Sequence, residues 1–270
     1  MSRQKTGLKF YILIKYLIEI IKPGIVLWVG ITAFGGSIIA NVDIIKSVII
    51  SFFVMISAGG SAVLNNYFDK DIDKIMNRTK NRALASNKIS PKIALIYGFL
   101  LCIFGLSGIL YFSFKAFILD LIAIISYSFI YTFLKRKTSF SIIIGSIPGA
   151  LPTSIGYIAM KNEIDIIAFS LFSLMFLWQP SHFIYLSLFL KDDYKNAKIP
   201  TISVKYSYKY NKILSFVYSF SIIPITMMIY YIANLSYNFL ISVLFLNLFW
   251  VFLNIIYWRE IVNEKIMFIS

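Results

Sequence analysis

The sequence predicts an all-α fold: a polytopic membrane bundle of eight helices, built as one domain over residues 1–270. Two observations carry this prediction. Of the 270 residues, 59% are hydrophobic and only 14% are charged, so a soluble domain of this length would lack the polar residues to cover its exterior. The apolar residues also gather into stretches of about 20, the length at which a helix crosses a bilayer.

Eight such stretches are separated by more polar segments. They cover residues 24–41, 45–66, 92–112, 116–134, 140–160, 166–190, 212–234 and 237–257. The single cysteine, Cys102, lies inside the third stretch. A lone cysteine excludes a disulfide framework and a cysteine-based metal site.

A further amphipathic helix is expected before the first span. In "YILIKYLIEIIK" the charged residues Lys15, Glu19 and Lys22 recur at i, i+4 and i+7 among apolar residues. One polar stripe on an apolar helix is typical of a helix that lies in the membrane interface. Residues 1–22 are therefore expected to form a cytoplasmic interfacial segment, although the same stripe also fits a simple extension of the first span.

The basic residues indicate the orientation of the bundle. The chain has 26 Lys and Arg residues and a formal net charge of +14. All of them except Lys46, Lys115 and Lys161 fall on one side of the predicted spans, which the positive-inside rule makes the cytoplasmic side. Topology and attraction to anionic lipid explain the charge, so no nucleic-acid partner is expected.

Two cytoplasmic loops are longer than the others, at residues 67–91 and 191–211, and both contain acids. Loops of that length inside a compact bundle are usually functional or disordered. We therefore expect both loops to contribute to an active site.

The first of these loops overlaps the stretch "NNYFDKDIDKIMNRTKNR", in which Asn65, Asp69 and Asp73 are spaced i, i+4 and i+8. On a helix these side chains line one face, and carboxylates held so close repel each other unless a cation lies between them. Mg²⁺ takes oxygen ligands and commonly combines one or two carboxylates with substrate phosphate oxygens. Arg78 and Arg82 follow, and arginine suits forked contact with phosphate. The stretch therefore indicates a metal–diphosphate site.

Four other charged residues lie on the same side. Asp192 and Asp193 in "LKDDYKNAKIP" follow the sixth span and suit a second metal or phosphate arm. Lys135 and Arg136 end the fourth span, where they either bind substrate or simply anchor the helix.

Several residues inside the spans are also candidates. His182, the only histidine, follows Pro180 in "LWQPSHF". Polar groups at membrane depth usually face the bundle interior, and a proline kinks a helix, so His182 either contacts a substrate such as a metalloporphyrin or forms an interior hydrogen bond. Tyr127 and Tyr131 either shield a carbocation by cation–π attraction or simply pack. Asp120 is expected at the membrane interface, with no functional role.

The stretch at residues 65–82 resembles the NxxxDxxxD signature of the UbiA-type intramembrane prenyltransferases. Within that superfamily, "YTFLKRKT", "GSIPGALPTSIGY", "LWQPSHF" and "FLKDDYKNAKIP" are similar to the protohaem IX farnesyltransferases, or haem O synthases. The resemblance runs from about Lys22 to Val204. The chain differs at Ser181, where that group usually has a second proline, and in its eight predicted spans, where the group usually has nine.

The resemblance implies an all-helical bundle around a central cavity that opens to the lipid. It implies an enzyme that uses farnesyl diphosphate and haem b as substrates and Mg²⁺ as cofactor in a bacterial cytoplasmic (inner) membrane. It also implies handover of the product to haem-modifying or oxidase-assembly proteins. Matching positions imply that the metal and the diphosphate are contacted by Asn65, Asp69 and Asp73. They also imply diphosphate contacts from Arg78, Arg82, Lys135 and Arg136. Asp192 and Asp193 would form a second polar arm with candidate metal ligands, and His182 would contact the haem.

Two other functions fit part of the pattern. One is prenylation of an aromatic quinone precursor, against which the histidine segment and the "KDDY" loop argue. The other is a membrane transporter with acidic cytoplasmic gates, but a transporter is expected to place its acids nearer the middle of the membrane.

Overall fold

In a computed structural model, the chain is described over residues 2–259, with side chains described for residues 11–256. This part of the chain is helical and contains no strand. Its helices are α1 (Ser2–Ile20), α2 (Pro23–Ala40), α3 (Ile44–Asp73), α4 (Pro91–Phe112), α5 (Phe114–Ile125), a π-helical segment (Ser126–Tyr131), α6 (Thr132–Leu134), α7 (Ser141–Lys161), α8 (Ile166–Phe189), α9 (Lys191–Asn196), α10 (Ile202–Lys205), α11 (Tyr208–Ile232) and α12 (Tyr237–Arg259).

Eight of these helical stretches are long and apolar enough to cross a membrane. They are α2, α3, α4, the continuous stretch Phe114–Leu134, α7, α8, α11 and α12. This confirms the predicted all-helical polytopic bundle. The chain is an integral membrane protein, because helices of this kind satisfy their own backbone hydrogen bonds within lipid.

The helix starts follow from the local sequence. Pro23 and Pro91 each occupy the first turn of a helix, where the missing N–H costs no hydrogen bond. The Asp43 and Ser113 side chains cap α3 and α5 by accepting from the backbone N–H groups of Lys46 and Ala116. Such caps satisfy N–H groups that the helix itself leaves unpaired.

Helices α2 and α7 approach each other closely at two glycines. A Cβ atom on Gly36 would lie 1.9 Å from the carbonyl oxygen of Thr153, and one on Gly156 would lie 1.9 Å from that of Ala33. Without a side chain at these points the two backbones pack directly against each other, as small residues allow in membrane bundles. This contact holds α7 in the centre of the bundle.

The basic segments between spans gather at one end of the bundle, called here the basic end: residues 74–90, 135–140 and 190–207. At the other end, Lys115 donates to the backbone oxygen of Asn162 at 3.1 Å. The start of α5 and the turn after α7 therefore meet there. The first loop begins later than the sequence suggested, because α3 continues to Asp73. The second long loop contains the short helices α9 and α10.

Helix α1 packs against the basic end. Ile20 is buried against Val63, Ala83 and Leu84, and the Glu19 carboxylate accepts from the backbone N–H of Ala83 at 2.9 Å. Glu19, one residue of the predicted stripe of charges, therefore also contacts the loop that follows α3. Whether the segment also lies in an interface stays a prediction, and the side chains of residues 1–10 lie outside the described part.

Asp120, expected at the membrane interface with no functional role, has a partner inside the bundle. Its side chain is buried between helices and accepts a hydrogen bond from Ser57 Oγ at 3.0 Å. Burial of an acid at membrane depth requires a partner, and the crossing of α3 and α5 supplies the Ser57 hydroxyl.

Candidate active site

The centre of the site is one face of α3 near its C-terminal end. Asn65, Asp69 and Asp73 lie on successive turns and are 3%, 3% and 6% exposed. Asn65 Nδ2 donates to Asp69 Oδ2 at 2.8 Å and to Thr132 Oγ1 at 2.8 Å. The side chains predicted to share a helix face therefore do so, and that face is turned into the bundle.

Asp69 lies between two cations from the segment that follows the fourth span. Lys135 Nζ forms an ion pair with Asp69 Oδ2, and Arg136 Nη2 lies 3.5 Å from Asp69 Oδ1. Oδ1 is nevertheless buried without a hydrogen bond. A buried acceptor in this state is costly, so Asp69 keeps one oxygen with a ligand position open.

Asp73 is held by the loop that follows it. Arg82 Nη1 lies 3.1 Å from Asp73 Oδ1 and 3.0 Å from Oδ2, and it also reaches Asn66 Oδ1 at 3.4 Å. Thr79 Oγ1 donates to the backbone oxygen of Asp73 at 3.1 Å. The chain therefore turns back over the end of α3 and brings Arg82 onto the acidic face.

Asp71 lies on a different face of α3, as the helical spacing predicts. Its carboxylate is 60% exposed and accepts from Arg136 at 2.7 and 2.9 Å. Arg136 Nη2 also donates to the backbone oxygen of Phe68 at 2.5 Å. Arg136 is thereby fixed at the edge of the site, between the exposed Asp71 and the buried Asp69.

The aromatic lining comes from the π-helical segment in the fourth span. Tyr127 and Tyr131 stack with ring centroids 5.8 Å apart, and Tyr131 stacks on Phe183 at 6.5 Å. A Cβ on Gly145 would lie 2.8 Å from the Tyr131 ring, so the glycine provides room for it. The wider π-turn is closed by Thr132 Oγ1, which donates to the backbone oxygen of Tyr127 at 2.8 Å. π-Turns inside helices are frequently found at functional sites.

Lys22 is a site residue that the sequence did not reveal as one. Its Nζ donates to Asn65 Oδ1 at 2.8 Å and to the Tyr127 hydroxyl at 3.4 Å. The backbone of Lys22 is left-handed, with φ of 60°, and this conformation turns the side chain inward between α1 and α2. Burial, together with the positive charges of Arg82 and Lys135, lowers the pKa of Lys22 to about 7. The Pro-Gly that follows marks a helix start, but no sequence signal places the side chain.

His182 lies on the aromatic side of the site. It stacks on Trp178 with a centroid distance of 4.8 Å and lies 6.0 Å from the ring of Phe183, the residue that also stacks on Tyr131. Pro180 stands inside α8 two residues earlier. The structure therefore connects His182 to the site through rings, and its contact with a substrate stays a prediction.

The second loop meets the first at the basic end. Asp193 accepts from the backbone N–H groups of Asn77 at 3.1 Å and Arg78 at 3.0 Å. Asp192 is exposed. The side chain of Arg78 is exposed and forms no ion pair with a carboxylate in the described ranges.

The arrangement on α3 fits a divalent cation that is shared with a phosphate-bearing substrate. Asp69 has a buried oxygen without a hydrogen bond, and Asp73 lies one turn further on the same face. Over residues 2–259 no cluster of three or more His, Cys, Asp or Glu is placed to hold a metal. Asp69 and Asp73 together fit part of a coordination shell whose other ligands come from a substrate, which is how Mg²⁺ is commonly bound beside phosphates.

The charges around this face favour an anionic ligand. Three cations lie against the two buried carboxylates: Arg82, Lys135 and Arg136. Lys22, whose pKa is lowered to about 7, lies beside them on Asn65. The excess positive charge lies in a poorly hydrated setting, where electrostatic attraction is stronger than in water. Together with the membrane helices and the aromatic lining, it indicates a site for a lipid-like diphosphate.

This combination of fold and site defines a class of protein. The profile of the UbiA prenyltransferase family matches residues 26–268, and the chain belongs to that family.

Among relatives, the chain is 40% identical to the protoheme IX farnesyltransferase of Aquifex aeolicus, over 80% of this chain and 76% of that protein. It is 36% identical to the protoheme IX farnesyltransferase of Wigglesworthia glossinidia brevipalpis, over 88% of this chain and 84% of that protein.

Solved structures share the fold. A structure of a digeranylgeranylglyceryl phosphate synthase superposes with a TM-score of 0.75 at 20% identity, over 94% of this chain and 90% of that one. A UbiA homologue from Archaeoglobus fulgidus bound to GPP and Mg²⁺ superposes with a TM-score of 0.71 at 16% identity, over 93% and 92% of the two chains. At these identities the likeness shows the fold alone.

Proposed function

We propose that this chain transfers the farnesyl group of farnesyl diphosphate to a vinyl group of haem b and releases diphosphate. One observation carries the diphosphate part of the proposal: Arg82, Lys135 and Arg136 lie against two buried carboxylates on one face of α3, with the Lys22 amine beside them. The acceptor is supported by relatives of 36–40% identity that are named protoheme IX farnesyltransferases.

The donor would bind with its diphosphate against the acidic face of α3. Asp69 and Asp73 would hold Mg²⁺, with Asn65 and the exposed Asp192 as further candidate ligands. The Mg²⁺ would neutralise the diphosphate and so make it a better leaving group. Lys22, Lys135 and Arg82 already lie around these acids, and they would share their charge with the phosphate oxygens.

The chemistry requires charge stabilisation without a covalent enzyme intermediate. As the C–O bond to C1 of the farnesyl chain breaks, its electron pair leaves with the diphosphate, where the fixed cations stabilise it. The stacked rings of Tyr127, Tyr131 and Phe183 face the allylic cation and stabilise it by cation–π attraction. The vinyl group then supplies the electrons for the new C–C bond. Water adds to the remaining carbon and loses a proton, which gives a hydroxyethylfarnesyl substituent.

The orientation belongs to the same proposal. The basic end would face the cytoplasm of a bacterial cell, across the cytoplasmic membrane, because that end carries most of the Lys and Arg residues and basic loops stay inside. Farnesyl diphosphate would enter with its charged head at this surface and its tail among the helices. The product would pass to haem-modifying or oxidase-assembly proteins.

The proposal is tested with purified protein in lipid nanodiscs. The mixture contains haem b, farnesyl diphosphate and Mg²⁺, and haem species are separated by chromatography and weighed by mass spectrometry. We expect a heavier haem that carries farnesyl and one added water, absent when the diphosphate is omitted. Parallel reactions replace haem b with 4-hydroxybenzoate. Prenylation of the benzoate without any heavier haem would overturn the assignment of the acceptor.

A further inference from the structure

The loop at residues 74–90 is fixed by acidic side chains that come from other parts of the chain. Glu19 of α1 accepts from the backbone N–H of Ala83. Asp193 of α9 accepts from two successive backbone N–H groups, those of Asn77 and Arg78, at 3.1 and 3.0 Å. Each carboxylate oxygen of Asp193 takes one of these bonds, so both oxygens are used within the protein.

The segment that carries Asp193 is itself held against the same turn. Ile199 is buried with Ile72 and Met76 in a small apolar cluster, and Tyr194 packs on it. The cluster and the Asp193 hydrogen bonds join the two long loops at neighbouring points. Charged hydrogen bonds of this kind are about twice as strong as neutral ones, so the turn at Asn77–Arg78 has a defined position.

The side chain of Arg78 is free to bind a ligand from that position. It forms no ion pair with a carboxylate of the described residues. The next residue, Thr79, donates from Oγ1 to the backbone oxygen of Asp73 at 3.1 Å. The turn that carries Arg78 therefore lies against the end of the acidic face of α3.

We propose that Asp193 is a positioning residue, which holds the Asn77–Arg78 turn so that the Arg78 guanidinium faces the bound diphosphate. This differs from the expectation that Asp193 is a metal ligand, because two backbone N–H groups of the other loop already orient its carboxylate. The inference rests on the proposed function, since it assigns Arg78 a diphosphate ligand. It adds a link between the two loops that controls how well the donor binds.

The test is a double-mutant cycle with Asp193→Asn and Arg78→Ala, read as the KM for farnesyl diphosphate. Loss of a charged hydrogen bond predicts a rise of roughly tenfold or more for Arg78→Ala. Asp193→Asn keeps the size of the side chain but replaces one acceptor with a donor, and we expect a rise of severalfold. Because Asp193 acts through Arg78, the double variant should match Arg78→Ala alone, and multiplying effects would overturn the proposal.

A Mg²⁺ titration separates positioning from metal binding. The Mg²⁺ concentration for half-maximal turnover should be unchanged in Asp193→Asn, whereas a metal ligand would require more Mg²⁺ in that variant. Wild-type protein that makes no farnesylated haem would instead reject the proposed function. In that case the double-mutant cycle is evaluated with the Kd for farnesyl diphosphate, measured by calorimetry without an acceptor.

Limited trypsin digestion gives a readout that needs no substrate. Arg78 and Lys80 are exposed in the turn that Asp193 holds. We expect Asp193→Asn to be cleaved there severalfold faster than wild type, while Asp192→Asn, with the same charge change one residue away, is cleaved at the wild-type rate. Equal cleavage of the two variants would show that Asp193 does not hold the turn.

Discussion

Replacing Asp69 with asparagine is the most direct test of the acidic face. The substitution keeps the size of a side chain that is 5% exposed and removes its charge, which Lys135 now pairs with. If Asp69 binds the metal–diphosphate unit, its loss removes stabilisation of charge on the leaving group. Loss of one such contact costs about 10²–10³-fold in kcat in comparable sites.

The effect on folding should be much smaller than the effect on rate. Asparagine still offers an oxygen to Lys135, so we expect the free energy of unfolding to fall by about 1–3 kcal/mol, the cost of weakening a buried charged hydrogen bond. Thermal unfolding in detergent measures the change in stability, and initial rates of haem farnesylation measure the fall in kcat. A folded variant is required before its rate is interpreted.

Asp71→Asn is the matched control on the same helix. It makes the same change of charge two residues away, but Asp71 is 60% exposed and, among the residues whose side chains are described, forms an ion pair only with Arg136. Exposed pairs contribute about 0.2–1 kcal/mol, so the rate should fall by about fivefold at most. Near wild-type activity in Asp69→Asn, or equal losses in both variants, would refute the assignment of the acidic face.

Three further predictions concern the lining, a helix cap and the acceptor. Gly145→Ala places a methyl group where the Tyr131 ring now lies, so kcat should fall severalfold, while Gly35→Ala, with nothing within 4 Å of its new atom, should not change it. Although burial acts to raise it, hydrogen bonds from a neighbouring lysine and from the start of α8 lower the pKa of Asp165 to about 2. Asp165→Asn should therefore lower the unfolding free energy by about 1 kcal/mol at neutral pH. His182→Ala should weaken haem b binding more than farnesyl diphosphate binding, as measured by separate titrations.

Each of these predictions has an outcome that contradicts it. Equal kcat values for Gly145→Ala and Gly35→Ala would show that the position of the Tyr131 ring does not affect turnover. For Asp165 the folded pKa lies below the unfolded value of about 3.9, so its contribution is present above pH 4 and fades as pH falls towards 2. A difference in unfolding free energy between wild type and Asp165→Asn that grows as the pH falls would contradict this prediction. Equal losses of both affinities in His182→Ala would argue against a haem contact.

The parts of the site that could be predicted are those set by one helix. The spacing of Asn65, Asp69 and Asp73 places them on one face wherever α3 lies, and the structure confirms that face. The spans follow in the same way from apolar length. Loop boundaries were less accurate, because α3 remains helical through Asp73 after its sequence turns polar.

The parts that could not be predicted depend on contacts between distant segments. Lys22 points inward because its backbone is left-handed, a conformation that few non-glycine residues adopt. Asp120 is buried because α5 crosses α3 at Ser57. Asp193 meets its backbone partners across a separation of 115 and 116 residues. No local pattern contains these pairings, so only the folded bundle reveals them.

The π-helical turn at Ser126–Tyr131 makes the site sensitive to the number of residues in the fourth span, apart from their identity. A π-turn closes its hydrogen bonds over one more residue than an α-turn does. Deleting one residue between Tyr127 and Tyr131 would restore a regular helix and shorten their spacing from i, i+4 to i, i+3. The two rings would then no longer stack as they do now. The geometry of the lining therefore depends on how many residues this turn contains as well as on which residues they are.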